Sequence, residues 1–140
     1  MSTIVTRAGK GSPLTHTELD NNFTNLNNDK TGYITGEGGA VPQSISKATG
    51  VTLNKKCGDI TLNGAALAAS TTVSFTLTNT TIGANDLLIL NHVSGGTAGS
   101  YALNAQCAAG SASINVRNIT AGSLSEAIVI RFAVVKGAIA

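Results

Sequence analysis

From residue 51 onward, apolar and polar residues alternate with a period of two, and this pattern restricts the possible fold more than any other feature of the chain. The clearest case is residues 73–77, in which valine, phenylalanine and leucine alternate with serine and threonine. Because successive side chains of a strand point to opposite faces, one face of this segment is predicted to be buried and the other exposed. Six further short segments are predicted to be strands and are separated by turn-rich stretches: 51–53, 60–62, 87–90, 101–103, 114–116 and 128–135.

Seven strands within about 90 residues predict a mainly β fold, with an antiparallel β-sandwich or jelly-roll-like module over residues 51–140. Segments 87–90 and 128–135 are apolar on both faces, which is typical of central strands or of strands at a subunit contact. The long apolar last strand would need protection against edge pairing, and a neighbouring subunit is one way to supply that protection.

The composition favours a protein that assembles with other chains. Only 11% of the 140 residues are charged and the formal net charge is +2, so few charges would cover the surface of a monomer. A plain soluble β domain is the alternative.

The net positive charge is small and no aromatic residues are interspersed among the basic ones, so we expect no nucleic-acid partner. Apolar runs such as 127–130 are far too short for a membrane span, so we expect no membrane insertion. Assembly is expected to take place in the cytoplasm.

A short helix is predicted at residues 15–28, after an N-terminal arm. Thr15 and Glu18 have the spacing of a capping box, in which each residue's side chain accepts a hydrogen bond from the other's backbone amide. Leu14 and Leu19 occupy the two positions of a hydrophobic staple around this cap. The cap and the staple together predict where the helix begins.

One narrow apolar seam runs along this helix, because Leu19, Phe23 and Leu26 follow one another at intervals of four and three. The remaining positions are mostly Asn, Asp and Thr, so a helix this short would be marginal in isolation. We therefore expect it to dock, and three partners remain open: other copies around a threefold axis, another protein, or the β module. With Leu14, the seam is the candidate oligomer or attachment interface.

The sequence divides into three parts. Residues 1–31 form the arm and the helix, and the arm includes a β-prone piece at 3–6. Residues 32–50 are rich in glycine and show little periodicity, so they are predicted to be a linker, with the β module following at 51–140.

A glycine-rich turn at residues 94–100 is predicted to be a flexible hairpin tip. A loop of this composition close to an aromatic residue is a possible receptor-contact site. The candidate contact residues are Ser94, Gly95, Gly96, Thr97 and Tyr101.

The sequence contains no recognisable catalytic or metal-binding motif. The carboxylates of the β module, Asp59, Asp86 and Glu126, are far apart in the sequence, and we predict no catalytic residues among them. His16 and His92 lack the spacing of metal ligands, so we expect neither a metal nor a cofactor.

Two cysteines and three asparagines have alternative interpretations. Cys57 and Cys107 are predicted to be small buried side chains with free thiols, with a disulfide formed after release as the alternative. Asn22, Asn79 and Asn118 each begin an Asn-x-Thr sequence that matches a glycosylation site, although such a match has no meaning without secretion.

Two stretches of the chain resemble proteins of tailed bacteriophages. Residues 11–27, with the sequence GSPLTHTELDNNFTNLN, resemble a stretch that recurs near the N-termini of tail-fibre and other virion structural proteins. Residues 123–136, from SLSEA to FAVVK, resemble the last strand of small phage surface modules. Together the two stretches cover about a quarter of the chain.

The resemblance implies a non-enzymatic virion structural protein that forms a homotrimer on the exterior of the particle. The chain is short and has no long shaft, which favours a capsid decoration (cement) or head-fibre protein whose N-terminal segment is anchored to the major capsid protein. The alternative is a short tail-fibre or receptor-binding module that is joined to a tail or fibre-anchor protein and contacts a glycan or protein of the host surface.

Overall fold

The computed structural model describes residues 4–30, 33 and 36–137. The chain divides into two compact units, Met1–Thr35 and Gly36–Ala140. The first unit is helical and the second is a β-sandwich, so the predicted mainly β fold class is confirmed.

The first unit contains two helices, α1 (Arg7–Lys10) and α2 (His16–Lys30). Helix α1 follows directly after the β-prone piece predicted at 3–6, where no strand is found in the described residues. Thr6 is the N-cap of α1, and its hydroxyl accepts a hydrogen bond from the Gly9 amide at 3.1 Å. Gly11 ends α1 in the left-handed conformation, with φ 72°.

The capping box predicted at the start of α2 is confirmed. The Glu18 amide donates to the Thr15 hydroxyl at 3.2 Å, and the Thr15 amide donates to the Glu18 carboxylate at 2.8 Å. The ammonium group of Lys10 also donates to Glu18, at 2.5 Å, and this contact with the Thr15 bonds lowers the pKa of Glu18 to about 2. Helix α2 therefore begins within one residue of its predicted start, whereas its end at Lys30 lies two residues beyond the prediction.

The second unit contains eight strands in two four-stranded sheets. Sheet I has the order β1-β3-β8-β5 and sheet II has the order β2-β4-β7-β6. Most neighbouring strands are antiparallel, but β1 pairs with β3, and β2 with β4, in parallel. All seven predicted strands are present and β1 is additional. The bounds are β1 (Ala40–Pro42), β2 (Val51–Thr52), β3 (Cys57–Thr61), β4 (Thr72–Thr78), β5 (Leu87–Ser94), β6 (Tyr101–Ala108), β7 (Ser111–Asn118) and β8 (Val129–Val135).

The core lies between the two sheets and consists of the apolar residues that alternate along their strands. In β4 the predicted alternation is confirmed, because Phe75 and Leu77 are buried while the serine and threonines between and beside them are exposed. The largest fully buried side chain is that of Phe132 in β8. Other fully buried apolar side chains come from both sheets and from the segments beside them: Ile60, Leu62, Leu77, Ala112, Ile114, Val116, Ile128 and Ile130.

The stretch predicted to be a linker, 32–50, is part of the sandwich over its described length from residue 36. Strand β1 pairs with β3, and the side chain of the buried Gln43 donates to the carbonyl of Lys47 at 3.0 Å and accepts from the amide of Asn63 at 3.1 Å. Polar side chains rather than a periodic apolar pattern hold this segment in place, so the periodicity of the sequence did not reveal it. The β unit therefore begins at residue 36 and not at residue 51.

The last strand, which was expected to need protection at an edge, is central. Strand β8 lies between β3 and β5, while β5, whose apolar sequence is equally typical of a central strand, is at the edge of sheet I. The hydropathy of a single strand carries no information about which neighbours pair with its backbone. In β5 it also failed to predict burial, because Leu87 and Ile89 on its outer face are exposed.

Candidate attachment and contact surfaces

The apolar seam of α2 is exposed where the structure describes it. Leu19 is 44% exposed and Phe23 is 65% exposed, and their spacing of four residues places them on one side of the helix. Leu14, the other residue of the predicted staple, is partly buried. The side chain of Leu26 lies outside the described residues. The described part of the seam is therefore an apolar surface of the first unit that is open to a partner.

A polar contact that the sequence did not reveal ties this helix to the segment before α1. The Asn22 side chain accepts from the Val5 amide at 2.9 Å and donates to the Val5 carbonyl at 2.8 Å. The Asn22 side chain thus binds both backbone groups of Val5, as a neighbouring strand would in a β-sheet. Asn22 therefore has a structural role in positioning the segment beside α2.

The glycine-rich turn at 94–100 is held in place by a carboxylate and is not a hairpin tip. It joins β5 of sheet I to β6 of sheet II, so the two flanking strands do not pair with each other. The Glu126 carboxylate accepts from the amide and the hydroxyl of Thr97, at 3.0 and 2.6 Å, and from the hydroxyl of Tyr101 at 2.8 Å. Two of the five candidate contact residues, Thr97 and Tyr101, therefore donate hydrogen bonds to Glu126. The sequence analysis did not predict that Glu126 contacts this loop.

Two of the three glycines in the loop 94–100 are required by its close approach to the neighbouring segment. Gly95 and Gly96 have φ values of 71° and 61°, which L side chains rarely adopt. A Cβ at Gly96 would lie 2.6 Å from the Glu126 carboxylate, and one at Gly95 would lie 2.5 Å from the Ala127 carbonyl oxygen. The close approach of the loop to the segment before β8 therefore depends on both glycines.

His92 belongs to the same cluster. Its ring is edge-on to the ring of Tyr101, with the centroids 5.9 Å apart, and its Nε2 lies 2.6 Å from the Gly95 carbonyl oxygen. We call Glu126, Thr97, Tyr101 and His92 the loop cluster. No group of three or more metal-ligating side chains occurs in the part of the chain that the structure describes.

The electrostatics of the loop cluster follow from these contacts. Hydrogen bonds from Thr97 hold the pKa of the Glu126 carboxyl below its usual range, and burial raises the pKa of Tyr101, as does its bond to Glu126. Lys47 is buried beneath the same segment, where its ammonium group donates to the backbone carbonyls of Asn63 and Glu126. Burial lowers the pKa of this lysine.

Acidification is expected to release the loop. The folded-state pKa of Glu126 is depressed, so the stabilisation by the carboxylate is complete above its ordinary value of 4.5 and is lost as the pH falls through the lowered value. After correction for the intrinsic exchange rate, we expect the Thr97 amide to exchange its hydrogen faster as the pH falls through this range. In the Glu126→Gln variant, we expect this amide to exchange faster than in the wild type even at neutral pH. Equal protection of Thr97 in the variant and the wild type would contradict this assignment.

The two aspartates in the described part of the second unit are ion-paired. Asp59 binds Arg131 through two hydrogen bonds of 2.7 and 2.8 Å, and Asp86 binds Lys136 at 2.6 Å. In each case the hydrogen bond from the cation is the main reason that the pKa of the aspartate lies below its usual value. The sequence did not reveal these partners, because they lie at least 50 positions away along the chain.

Asn79 and Asn118 are fully buried structural residues in the folded chain. The carbonyl oxygen of each side chain accepts from the amide and the hydroxyl of the threonine two residues later, Thr81 or Thr120, at 2.8 to 2.9 Å. Their amide groups donate to backbone carbonyls of other segments, for example from Asn79 to Lys55 at 2.7 Å. At these two positions the Asn-x-Thr pattern therefore corresponds to a turn that the asparagine side chain stabilises, whereas at Asn22 it lies within α2.

Both cysteines carry free thiols in this structure, but their predicted burial is only partial. Each is partly buried, and Cys107 packs against the core of the sandwich. Burial raises the pKa of both thiols, so each is less ionised near neutral pH than an ordinary cysteine.

Comparison of the chain with protein-family models, with curated proteins and with solved structures gives no match. Among the described helices, none has the length and apolar character needed to cross a membrane. The functional proposal is accordingly based on the surfaces described above, the exposed seam of α2 and the loop at 94–100.

Proposed function

We propose that this protein is a non-enzymatic structural protein of a bacteriophage virion. Three copies assemble into a homotrimer on the exterior of the capsid as a decoration or head-fibre protein. The N-terminal unit attaches the protein to the particle, and the β-sandwich is displayed outward.

The observation that carries this proposal is the exposed seam of α2. Leu19 and Phe23 are about half exposed or more, in a helix whose other residues apart from Leu26 are polar. The capping box determines where the helix begins, and the contact between Asn22 and Val5 determines which side of the helix faces the preceding segment. The exposed apolar side therefore has a defined orientation within the first unit. An ordered helix with an apolar seam is a surface that other chains can cover by interlocking side chains.

The composition of the chain and its resemblance to phage proteins support the same function. A surface with few charges is better suited to a crowded assembly than to a free monomer. The stretch that resembles phage virion proteins, 11–27, contains the capping box and the whole seam. Attachment and trimer formation are therefore both assigned to the N-terminal unit.

Phe23→Ala is expected to weaken assembly or particle binding by at least about tenfold, because it removes the largest apolar side chain of the seam. Thr24→Ala, which changes the neighbouring exposed residue, is the matched control and is expected to bind like the wild type. Binding of the purified variants to particles that lack the protein measures the effect. If the two variants bind alike, the seam is not an interface and the attachment model is wrong.

Native mass spectrometry and the copy number in purified particles test the rest of the proposal. We expect a mass of three chains, and a copy number of the same order as that of the major capsid protein. A stable monomer at micromolar concentration would contradict the homotrimer. A copy number matching that of the tail fibres would place the protein on the tail.

A further inference from the structure

Three asparagines of the β-sandwich form the same kind of turn. The side-chain oxygens of Asn63, Asn79 and Asn118 each accept a hydrogen bond from the amide of the residue two positions later, at 2.8 to 2.9 Å. In every asparagine, a bond between the side-chain carbonyl carbon and the backbone nitrogen of the next residue closes a five-membered ring. The reactivity of each turn therefore depends on that nitrogen.

The nitrogen that follows Asn63 is free to react. Asn63 and Gly64 form the single Asn-Gly pair of the sequence, and glycine has no Cβ to hinder attack by its nitrogen on the neighbouring carbonyl carbon. Gly64 is exposed, and its amide has no acceptor in the part of the chain that the structure describes. Water and hydroxide can therefore reach the amide proton.

The corresponding nitrogens of the other two turns are bonded and hindered. The amide after Asn79 donates to the Asn54 side chain at 3.0 Å, and the amide after Asn118 donates to the Ser100 carbonyl at 3.0 Å. The residues that carry these amides are a threonine and an isoleucine, whose branched Cβ atoms crowd the nitrogen. Asn79 and Asn118 are also fully buried, whereas Asn63 is partly exposed.

The turn also places a donor on the oxygen that gains charge during such an attack. Negative charge develops on Oδ1 of Asn63, and the Ala65 amide already donates to this atom at 2.8 Å. A donor in this position stabilises a tetrahedral intermediate in the way that an oxyanion hole does. Nδ2 of Asn63 donates to the Ser44 carbonyl at 3.0 Å, so the carboxamide is held in one orientation.

We propose that Asn63 is a site of spontaneous deamidation in the folded protein. Hydroxide removes the amide proton of Gly64, and the nitrogen forms a bond to Cγ of Asn63. The bond from Cγ to Nδ2 breaks, and Nδ2 takes a proton from water and leaves as ammonia. Water then adds to either carbonyl of the succinimide ring and opens it to aspartate or isoaspartate. No oxidation or reduction takes place, and the reaction does not rest on the proposed function.

The product adds a negative charge to the residue that a buried cation contacts. The ammonium group of Lys47, which is 3% exposed, donates to the backbone carbonyl of Asn63 and forms no ion pair among the described residues. The same group donates to the backbone carbonyl of Glu126, whose carboxylate holds the loop at 94–100. Deamidation therefore changes the charge of the network beneath the candidate contact loop, and it removes one unit from the formal net charge of +2.

Incubation of the purified full chain in mildly alkaline buffer, followed by peptide mass spectrometry, tests this proposal. We expect the peptide that contains residue 63 to gain about 1 Da and to become a mixture of aspartate and isoaspartate forms. Enzymatic methylation of isoaspartate identifies the second form. Asn79 and Asn118 are internal controls in the same digest, and their peptides are expected to keep their mass.

The variant Gly64→Ala tests the attacking group. Alanine fits at this position, because a Cβ there would have no atom within 4 Å and the φ of Gly64 lies outside the left-handed region. We expect this variant to fold like the wild type by circular dichroism and to deamidate at least about tenfold more slowly at Asn63. Gly122→Ala is the matched control, because a Cβ there also meets no atom within 4 Å, and it is expected to react like the wild type.

Two outcomes would overturn the proposal. If Asn63 stays intact in the folded chain under conditions where the chain unfolded in urea reacts, the fold protects the site and the proposal is wrong. If Gly64→Ala reacts as fast as the wild type, the Gly64 nitrogen is not the attacking group. Neither result changes the proposed homotrimer or its attachment, which are measured by mass and by particle binding.

Discussion

Asn118→Ala is expected to lower the free energy of unfolding of the β-sandwich by about 3–4 kcal/mol. The Asn118 side chain is fully buried and donates to the carbonyl oxygens of Leu67, Ala68 and Gly122, at 2.7 to 3.2 Å. It also accepts from the amide and the hydroxyl of Thr120. Alanine would remove all of these hydrogen bonds, each of which contributes about 0.5–1.5 kcal/mol net, and would take away the acceptor of the Thr120 amide. The Leu67 and Ala68 carbonyls keep the Leu124 amide and the Thr71 hydroxyl as donors, so the loss comes from the removed bonds and from the space left by the buried side chain. Urea unfolding followed by circular dichroism measures the loss.

The matched control is Asn104→Ala on the outer face of sheet II. Asn104 is exposed and accepts one hydrogen bond, from Asn115 at 2.6 Å, so water can replace its side chain. We expect a change of less than about 1 kcal/mol. Equal destabilisation by the two variants would contradict the structural role assigned to Asn118.

Phe132→Ala is expected to cost about 3–5 kcal/mol, because it removes the largest fully buried side chain of the core and leaves a cavity. Phe132 lies in the central strand β8, opposite Gly58 of β3 and Leu90 of β5, and the packed neighbours can only partly fill the space. Denaturant unfolding of the full chain, followed through the strand signal in circular dichroism, measures the change.

Phe23→Ala makes the same chemical change at an exposed site and is the control for this prediction. Phe23 belongs to the first unit and is 65% exposed, so its removal is expected to leave the unfolding of the sandwich unchanged under conditions where the chain is monomeric. The assignment of Phe132 to the core would be wrong if both variants shifted the sandwich transition equally.

Local patterns of the sequence were sufficient to predict the elements. The capping box of Thr15 and Glu18 predicted the start of α2 to within one residue, because both partners lie within one helical turn. The alternation at 73–77 predicted which side chains of β4 are buried, because the period of a strand determines which side chains share a face. All seven predicted strands were found, although those at 87–90 and 128–135 were predicted from continuous apolar runs rather than from alternation.

The contacts between distant segments were decided only by the tertiary structure. Glu126 holds Thr97 across 29 positions, and Asn118 holds Leu67 across 51, and no local pattern joins these residues. Hydrogen bonds of this kind form between groups that the fold brings together, so a turn predicted to be flexible is held in place. Strand order is decided in the same way. Pairing depends on all the strands at once, and β5, with the apolar sequence of an interior strand, is therefore at the edge of its sheet with its outer side exposed.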